Sequence, residues 1–464
     1  MSIPLEPVDR TLGVTAAAGF GAAAVACGIK PSGGLDLALV VGRPGTIAAG
    51  TFTTNQVVAA PVLWSRRRLA ASADARVVVI NSGNANACTG PAGEEAVLAS
   101  VRRAAAELGC GPDQVLACST GVIGVPLEVA KLTDGIAKAA REVGPGGGQA
   151  AADAIRTTDT VSKQAGIVVD GVTVGGMAKG AAMLAPSLAL AASPGRSPRQ
   201  IPGGSPRQIP GGSPGQIPGG SPGPALPGPP HATMIALLTT DAVAEPSVLR
   251  GILAEACDVS FNRVTVDGAQ STNDTALLLA SGSSGVRPHA DDLGEAVQAI
   301  CYDLAGQMLA DAEGGTKVFS VHVGGAGTVG AAIAVARRVA DSPLVKTAVY
   351  GGDPNWGRVL QAAGAAGVPF DAARVRLEVR GAPGAAGIEL AAPAGREPGT
   401  GWRDPPERVV LVRDGAPTGA DAGAAFGARE VELRLHLGGT GPWASVRSAD
   451  LTPEYVRFNS EYTT

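Results

Sequence analysis

The chain has 464 residues, 45% of them hydrophobic and 17% charged, a balance that suits globular domains with a substantial core. Its 37 basic and 41 acidic residues leave a formal charge of −4, too small and of the wrong sign for a nucleic-acid binder. No apolar run reaches membrane-spanning length, and MSIPLEPVDR at the N-terminus has neither a basic nor an apolar signal region, so a cytoplasmic protein is expected.

In chain order, Leu37–Val41 and Val77–Ile80 read as buried or half-buried strands. Arg66, Arg67 and Arg68 form the one basic cluster and read as a solvated helix face. The apolar spacing predicts a helix over Gly93–Leu108, with Gly109 as its stop signal. Ile167–Val169 reads as another strand, and Val248–Cys257 and Asp292–Gly314 as helices. Ala373–Arg380 (ARVRLEVR) and Glu430–Leu437 (EVELRLHL) alternate as strands with one wet face do. The mixture predicts an α/β fold.

One segment differs in kind. From Pro194 to Pro230, 22 of 37 residues are Pro or Gly, and SPRQIPGG at 197–204 recurs at 205–212 and, as SPGQIPGG, at 213–220. Proline removes backbone donors and nothing here can bury a core, so 190–230 reads as a disordered, partly polyproline-like surface insert. A second loose stretch, 381–406, is rich in Gly, Ala and Pro.

The six cysteines are scattered without a CxxC pair, which argues against a zinc site or a disulfide framework and for buried thiols. Four histidines supply a Ser-His-Asp triad poorly. Walker A and HExxH motifs are absent. What stands out is a series of small polar clusters. They are TTN at 53–55, NSGNAN at 81–86, CSTGVIG at 118–124, TTDT at 157–160, MAKG at 177–180 and HATMIALLTTDA at 231–242. FNRVTVDGAQSTNDT at 261–275, DAEGGTK at 311–317, GGDPNWGR at 351–358 and FNSEYTT at 458–464 complete it. Each alone is an ordinary turn or helix cap.

Together they resemble the ornithine acetyltransferase (glutamate N-acetyltransferase) family of arginine biosynthesis. The resemblance runs from GIKPSG at 28–33 to Thr464, through INSGNANACTG, STGVIG, GGMAKGAAMLAPS, TMIALLTTDA, STNDT, EGGTK and DPNWGR in the family's order. It implies a chain that cuts itself at Ala232–Thr233 into an α chain, 1–232, and a β chain, 233–464. Thr233, the new N-terminus, is then the nucleophile. A threonine hydroxyl is weak alone. A free α-amine beside it, with an intrinsic pKa of about 7.7–8.0, can take its proton and removes the need for histidine.

The resemblance also implies oxyanion donors at Thr120 and Gly121, and substrate contacts at Thr157, Lys179, Thr233, Glu313, Asn459 and Thr464. A substrate such as N-acetylornithine carries a carboxylate, which suits Lys179, and an amine, which suits Glu313. The implied reaction moves its acetyl group to glutamate through acetyl-Thr233, with no metal or organic cofactor, in an α2β2 heterotetramer. Some members also take acetyl-CoA as a co-substrate.

This sequence departs from the pattern in places. The insert opens directly before the scissile bond, so Lys179 and Thr233 lie 233 − 179 = 54 residues apart. Leu190 and Ala269 stand where a threonine and an acidic residue are expected. Three other readings stay open: an N-terminal-nucleophile amidase or aminopeptidase that passes the acyl group to water, a paralogous acetyltransferase of a secondary pathway, and an uncleaved binding protein.

Overall fold

The computed structural model describes residues 7–190, 233–382 and 407–461. Ala232, Thr464, nearly all of the Pro/Gly insert and most of 381–406 lie outside the described residues. The fold is mixed α/β, with three sheets and helices on their faces.

The central sheet has six strands in the order Lys163–Val169, Val172–Lys179, Ile235–Thr240, Thr275–Ala280, Ile47–Thr53 and Leu188–Leu190. Ile235–Thr240 (IALLTT) and Thr275–Ala280 (TALLLA) are buried along their whole length, as strands covered on both faces must be. On one face Ala236, Leu238 and Leu278 pack against Leu253, Val297 and Ile300 of the helices Pro246–Val259 and Ala290–Ala310. On the other, Ile235, Leu237 and Leu277 meet Val40, Val78, Ile80 and Leu116 of a second sheet.

That second sheet has four strands, Phe20–Val25, Leu37–Gly42, Val77–Asn84 and Val115–Val122. Its outer face, with Leu39, Val79 and Val115, is covered by the helices Gly90–Leu108 and Val129–Glu142. Helices, sheet, sheet and helices thus form four layers. Arg67 and Arg68, on the helix Ala60–Ala71, meet Glu94 and Asp113 at the surface, in keeping with a solvated face.

The third sheet has seven strands and belongs to the C-terminal part of the chain. The helices Val329–Ala340, Pro343–Gly351 and Trp356–Gly364 cover its apolar face. Its short strand Val264–Thr265 runs parallel to Ala444–Ala449 and joins it to the rest.

Most predicted elements are present with shifted ends. Gly109 does end its helix, in the left-handed region at φ 62°. Val77–Asn84 outruns its expected end because pairing with Val115–Val122 carries it through the polar NSGN. The helix expected over Asp292–Gly314 is Ala290–Ala310 instead. Asp311 turns away to pair with Lys163 at 2.6 Å, and Gly314 takes φ 63°. Residues 372–374 form a 3-10 turn, and the strand expected from Ala373 begins at Arg376.

The wet face expected on the alternating C-terminal strands is also corrected. Arg380 is 3% exposed, Glu432 8% and Arg434 9%. Arg380 and Arg408 both pair with Glu432, and His322 lies beside them, so the polar rows of neighbouring strands close over one another. The thiols divide, because Cys118, Cys257 and Cys301 are buried while Cys88 is exposed. Among the described residues, no helix is long and apolar enough to cross a membrane.

Candidate active site

The candidate site lies where strand ends of the two stacked sheets converge. Lys179 ends Val172–Lys179, paired antiparallel to Ile235–Thr240 with Lys179 opposite Ile235. Thr233 stands just before that second strand, and Asp274 just before Thr275–Ala280, which runs parallel to it with Thr275 opposite Ile235. Thr120 and Gly121 come from the other sheet. There Val115–Val122 runs beside Val77–Asn84, and a bulge at Gly83 and Asn84 faces Thr120 and Gly121. Bulges of this kind re-aim side chains and interrupt regular pairing. Asn273 ties the layers together, its Nδ2 donating to Ala85 O at 2.7 Å and Ser119 O at 2.9 Å.

Lys179 is the hub. Its ammonium is fully buried and donates to Thr157 Oγ1 at 2.8 Å, Thr233 O at 2.9 Å and Thr120 Oγ1 at 3.2 Å. Those are all three of its hydrogens. Asp159 lies 3.7 Å away and also holds Lys163 at 2.7 Å. Burial pulls the Lys179 ammonium below the usual lysine range, against the opposing pull of Asp159. Burial also penalises the charge on Asp159, but Lys179 and Lys163 outweigh it and hold the carboxyl well below its ordinary range.

Thr233 is 3% exposed. Its Oγ1 hydrogen-bonds Ser271 Oγ and lies 3.2 Å from Asp274 Oδ1. The same carboxylate oxygen accepts the Met234 N–H at 3.0 Å. Asp274 is fully buried, and that burial pushes its carboxyl up to about 7 despite the hydrogen bonds from Met234 and Thr233.

Thr120, Thr157, Lys179 and Thr233, all sequence-predicted, are therefore in direct contact through one ammonium group. Gly121 follows Thr120 at φ 134°, and a Cβ there would sit 2.3 Å from the Gly83 carbonyl carbon, so only glycine fits. Glu313 and Asn459 form a second pair, Nδ2 to Oε2 at 3.3 Å. Glu313 joins the first group through its backbone N–H, which donates to Ala181 O at 3.0 Å, two residues beyond Lys179. Burial raises the Glu313 carboxyl.

Asp159, Ser271, Asn273 and Asp274 are the site residues that reading for the nucleophile and its substrate missed. All four stand inside the clusters TTDT and STNDT. The available signal was chemical: a buried lysine needs a counter-charge, and a hydroxyl nucleophile needs an acceptor. Among the described residues, no group of three or more His, Cys, Asp or Glu is placed to hold a metal ion.

Comparison with known proteins gives the arrangement a family. The ArgJ family matches residues 21–192 and 207–464, and the interval between the two blocks falls in the Pro/Gly repeats. The arginine biosynthesis bifunctional protein ArgJ of Streptomyces coelicolor is 40% identical over 454 residues, 97% of this chain and 100% of that protein. Its counterpart from Mycobacterium tuberculosis is 42% identical over 470 residues, 98% of this chain and 97% of that protein. A solved structure of ornithine acetyltransferase complexed with ornithine, also from M. tuberculosis, is 53% identical. It covers 39% of this chain and 99% of that one, with a TM-score of 0.39. On the family match and the near full-length identity, the chain belongs to the ArgJ family, the bifunctional enzymes of arginine biosynthesis.

Proposed function

We propose that this enzyme cuts itself between Ala232 and Thr233 and then transfers the acetyl group of N-acetylornithine to glutamate through acetyl-Thr233. The observation that carries this reading is the single buried constellation at Thr233. Its hydroxyl is held by Ser271 and Asp274, and its carbonyl is tied through Lys179 to Thr120.

In this reading the free α-amine of Thr233 takes the hydroxyl proton as Oγ1 attacks the acetyl carbon. Lys179 donates to Thr120 Oγ1, which turns the Thr120 hydrogen away from the lysine and leaves it for the oxyanion. The Gly121 N–H is the second donor. Losing one such donor typically costs about 10²–10³ in rate. Ornithine leaves, glutamate enters, and its amine takes the acetyl group. Thr157, Lys179, Glu313, Asn459 and Thr464 hold the amino-acid part, Glu313 facing an amine. The enzyme works in the cytoplasm as an α2β2 heterotetramer of chains 1–232 and 233–464. It needs no metal or organic cofactor.

The test has two parts. Mass spectrometry of purified protein should find a chain beginning at Thr233, and Thr233→Ala should abolish both cutting and transfer. N-acetylornithine alone should give a burst of ornithine, and glutamate should restore steady turnover with parallel-line kinetics. Thr120→Ala should lower kcat about 10²-fold with KM little changed, since its donor matters chiefly once the oxyanion forms. Acetyl release to water at the same rate with or without glutamate would make the protein an amidase.

A further inference from the structure

Self-cleavage poses a problem that turnover does not. Before the cut, the nitrogen of Thr233 is a peptide amide with no basic lone pair, so the α-amine that serves later cannot take the hydroxyl proton. We propose that Asp274 is the base for the cutting step, with Ser271 holding the Thr233 oxygen in line. This rests on the self-cleavage reading above and adds a residue and a role to it.

The hydrogen-bond accounting assigns the protons. Among the described residues, only Ser271 and Asp274 touch Thr233 Oγ1 through their side chains. Ser271 Oγ already accepts the Asn273 N–H at 3.1 Å. Its own hydrogen has Thr233 Oγ1 as its one acceptor in reach among those residues. The Thr233 hydrogen is therefore left for Asp274 Oδ1, 3.2 Å away. Lys179 does not compete, since it reaches the Thr233 carbonyl and not the hydroxyl.

Asp274 is also held firmly. Its Oδ1 accepts the Met234 N–H, its carbonyl accepts the Thr53 N–H at 2.8 Å, and the preceding Asn273 is anchored in the other sheet. A carboxyl raised to about 7 by burial takes a proton and returns it with little cost near neutral pH. The charged group facing it is Lys179, from Val172–Lys179, two strands away across Ile235–Thr240.

The step balances. Oγ1 bonds to the carbonyl carbon preceding Thr233 while the hydroxyl proton passes to Asp274. The tetrahedral oxyanion then collapses, the C–N bond breaks, and Asp274 returns the proton to the departing nitrogen, leaving an amine and an ester. Water hydrolyses the ester to a carboxylate and the free Thr233 hydroxyl, and Asp274 ends as it began.

The experiment follows cutting of the full chain by intact mass after cell-free synthesis, for the wild type, Asp274→Asn, Asp274→Glu and Ser271→Ala. Asp274→Asn should slow cutting at least about 100-fold. Asp274→Glu should recover part of that, Ser271→Ala should lose less, and the wild-type rate should climb as pH rises through about 7. Cutting of Asp274→Asn within threefold of wild type, with the same pH profile, overturns the role of Asp274 and leaves self-cleavage standing. A wild-type chain that never cuts overturns both. Should Asp274→Asn fail to fold, the wild-type profile decides, a flat rate from pH 5.5 to 8.5 counting against Asp274.

Discussion

At the residue scale the site is a problem in burying charge. Lys163 and Lys179 are both fully buried, and Asp159 between them touches one at 2.7 Å and the other at 3.7 Å. An unpaired buried ammonium is costly, so Asp159→Asn should destabilise the protein by about 3 kcal/mol, within the range for breaking buried pairs. Asp311 still offers Lys163 a partner, and the loss falls mainly on Lys179. The pH dependence has a definite sign. The folded state lowers the Asp159 carboxyl below its ordinary 3.8, so its contribution is present above 3.8 and is lost as pH falls below that value. Denaturant midpoints of the wild type and Asp159→Asn should differ most at pH 7 and converge towards pH 3. A constant gap would show that the carboxylate charge is not what stabilises the fold.

At the element scale the proposed oxyanion donors Thr120 and Gly121 depend on two strands coming too close for side chains. A Cβ on residue 121 would lie 2.3 Å from the Gly83 carbonyl carbon and 2.4 Å from Asn84 N, both main-chain atoms that cannot swing aside. Residue 121 also sits at φ 134°, where side chains are strained. Gly121→Ala should therefore force the bulge open and move Thr120 off the Lys179 ammonium. The cost should be about 1–3 kcal/mol in stability and about 10²-fold or more in kcat. Thermal melts and steady-state kinetics on the same preparation check both. Gly109→Ala makes a useful contrast, because no atom lies within 4 Å of a Cβ there and the helix end is remote from the site. It should lower stability through its positive φ and leave kcat alone.

At the scale of the whole molecule, the site needs both sides of the proposed cut. Thr120, Thr157 and Lys179 precede it, whereas Thr233, Ser271 and Asp274 follow it, and Lys179 hydrogen-bonds across it to Thr233 O. The central sheet crosses it too, since Val172–Lys179 pairs with Ile235–Thr240 over seven-tenths or more of its length. Cutting should therefore leave the two chains associated in dilute buffer, which gel filtration can read. The repeats precede the proposed cut, and added chain length is in general thermodynamically cheap, each doubling of a loop costing only about 0.6 kcal/mol. Deleting residues 191–228 should leave folding, cutting and turnover nearly unchanged. A deleted chain that folds but no longer acts would give the repeats a function of their own.

By itself the sequence determined the α/β class, the main strands and helices, and the threonine, lysine and glycine positions at the candidate site. Apolar periodicity is a local property, and the polar clusters keep their order along the chain whatever their distances in space. The tertiary structure decided what those clusters do to one another. The pairing of Lys179 with Asp159 depends on the path of the chain from TTDT to MAKG, and the contact of Thr233 with Ser271 and Asp274 on two parallel strands starting side by side. The buried Arg380–Glu432 face looked wet because alternation reports only that one side of a strand is polar. Neighbouring strands decide whether water or an opposite charge meets that side, and strand neighbours are set by long-range pairing that no local pattern encodes.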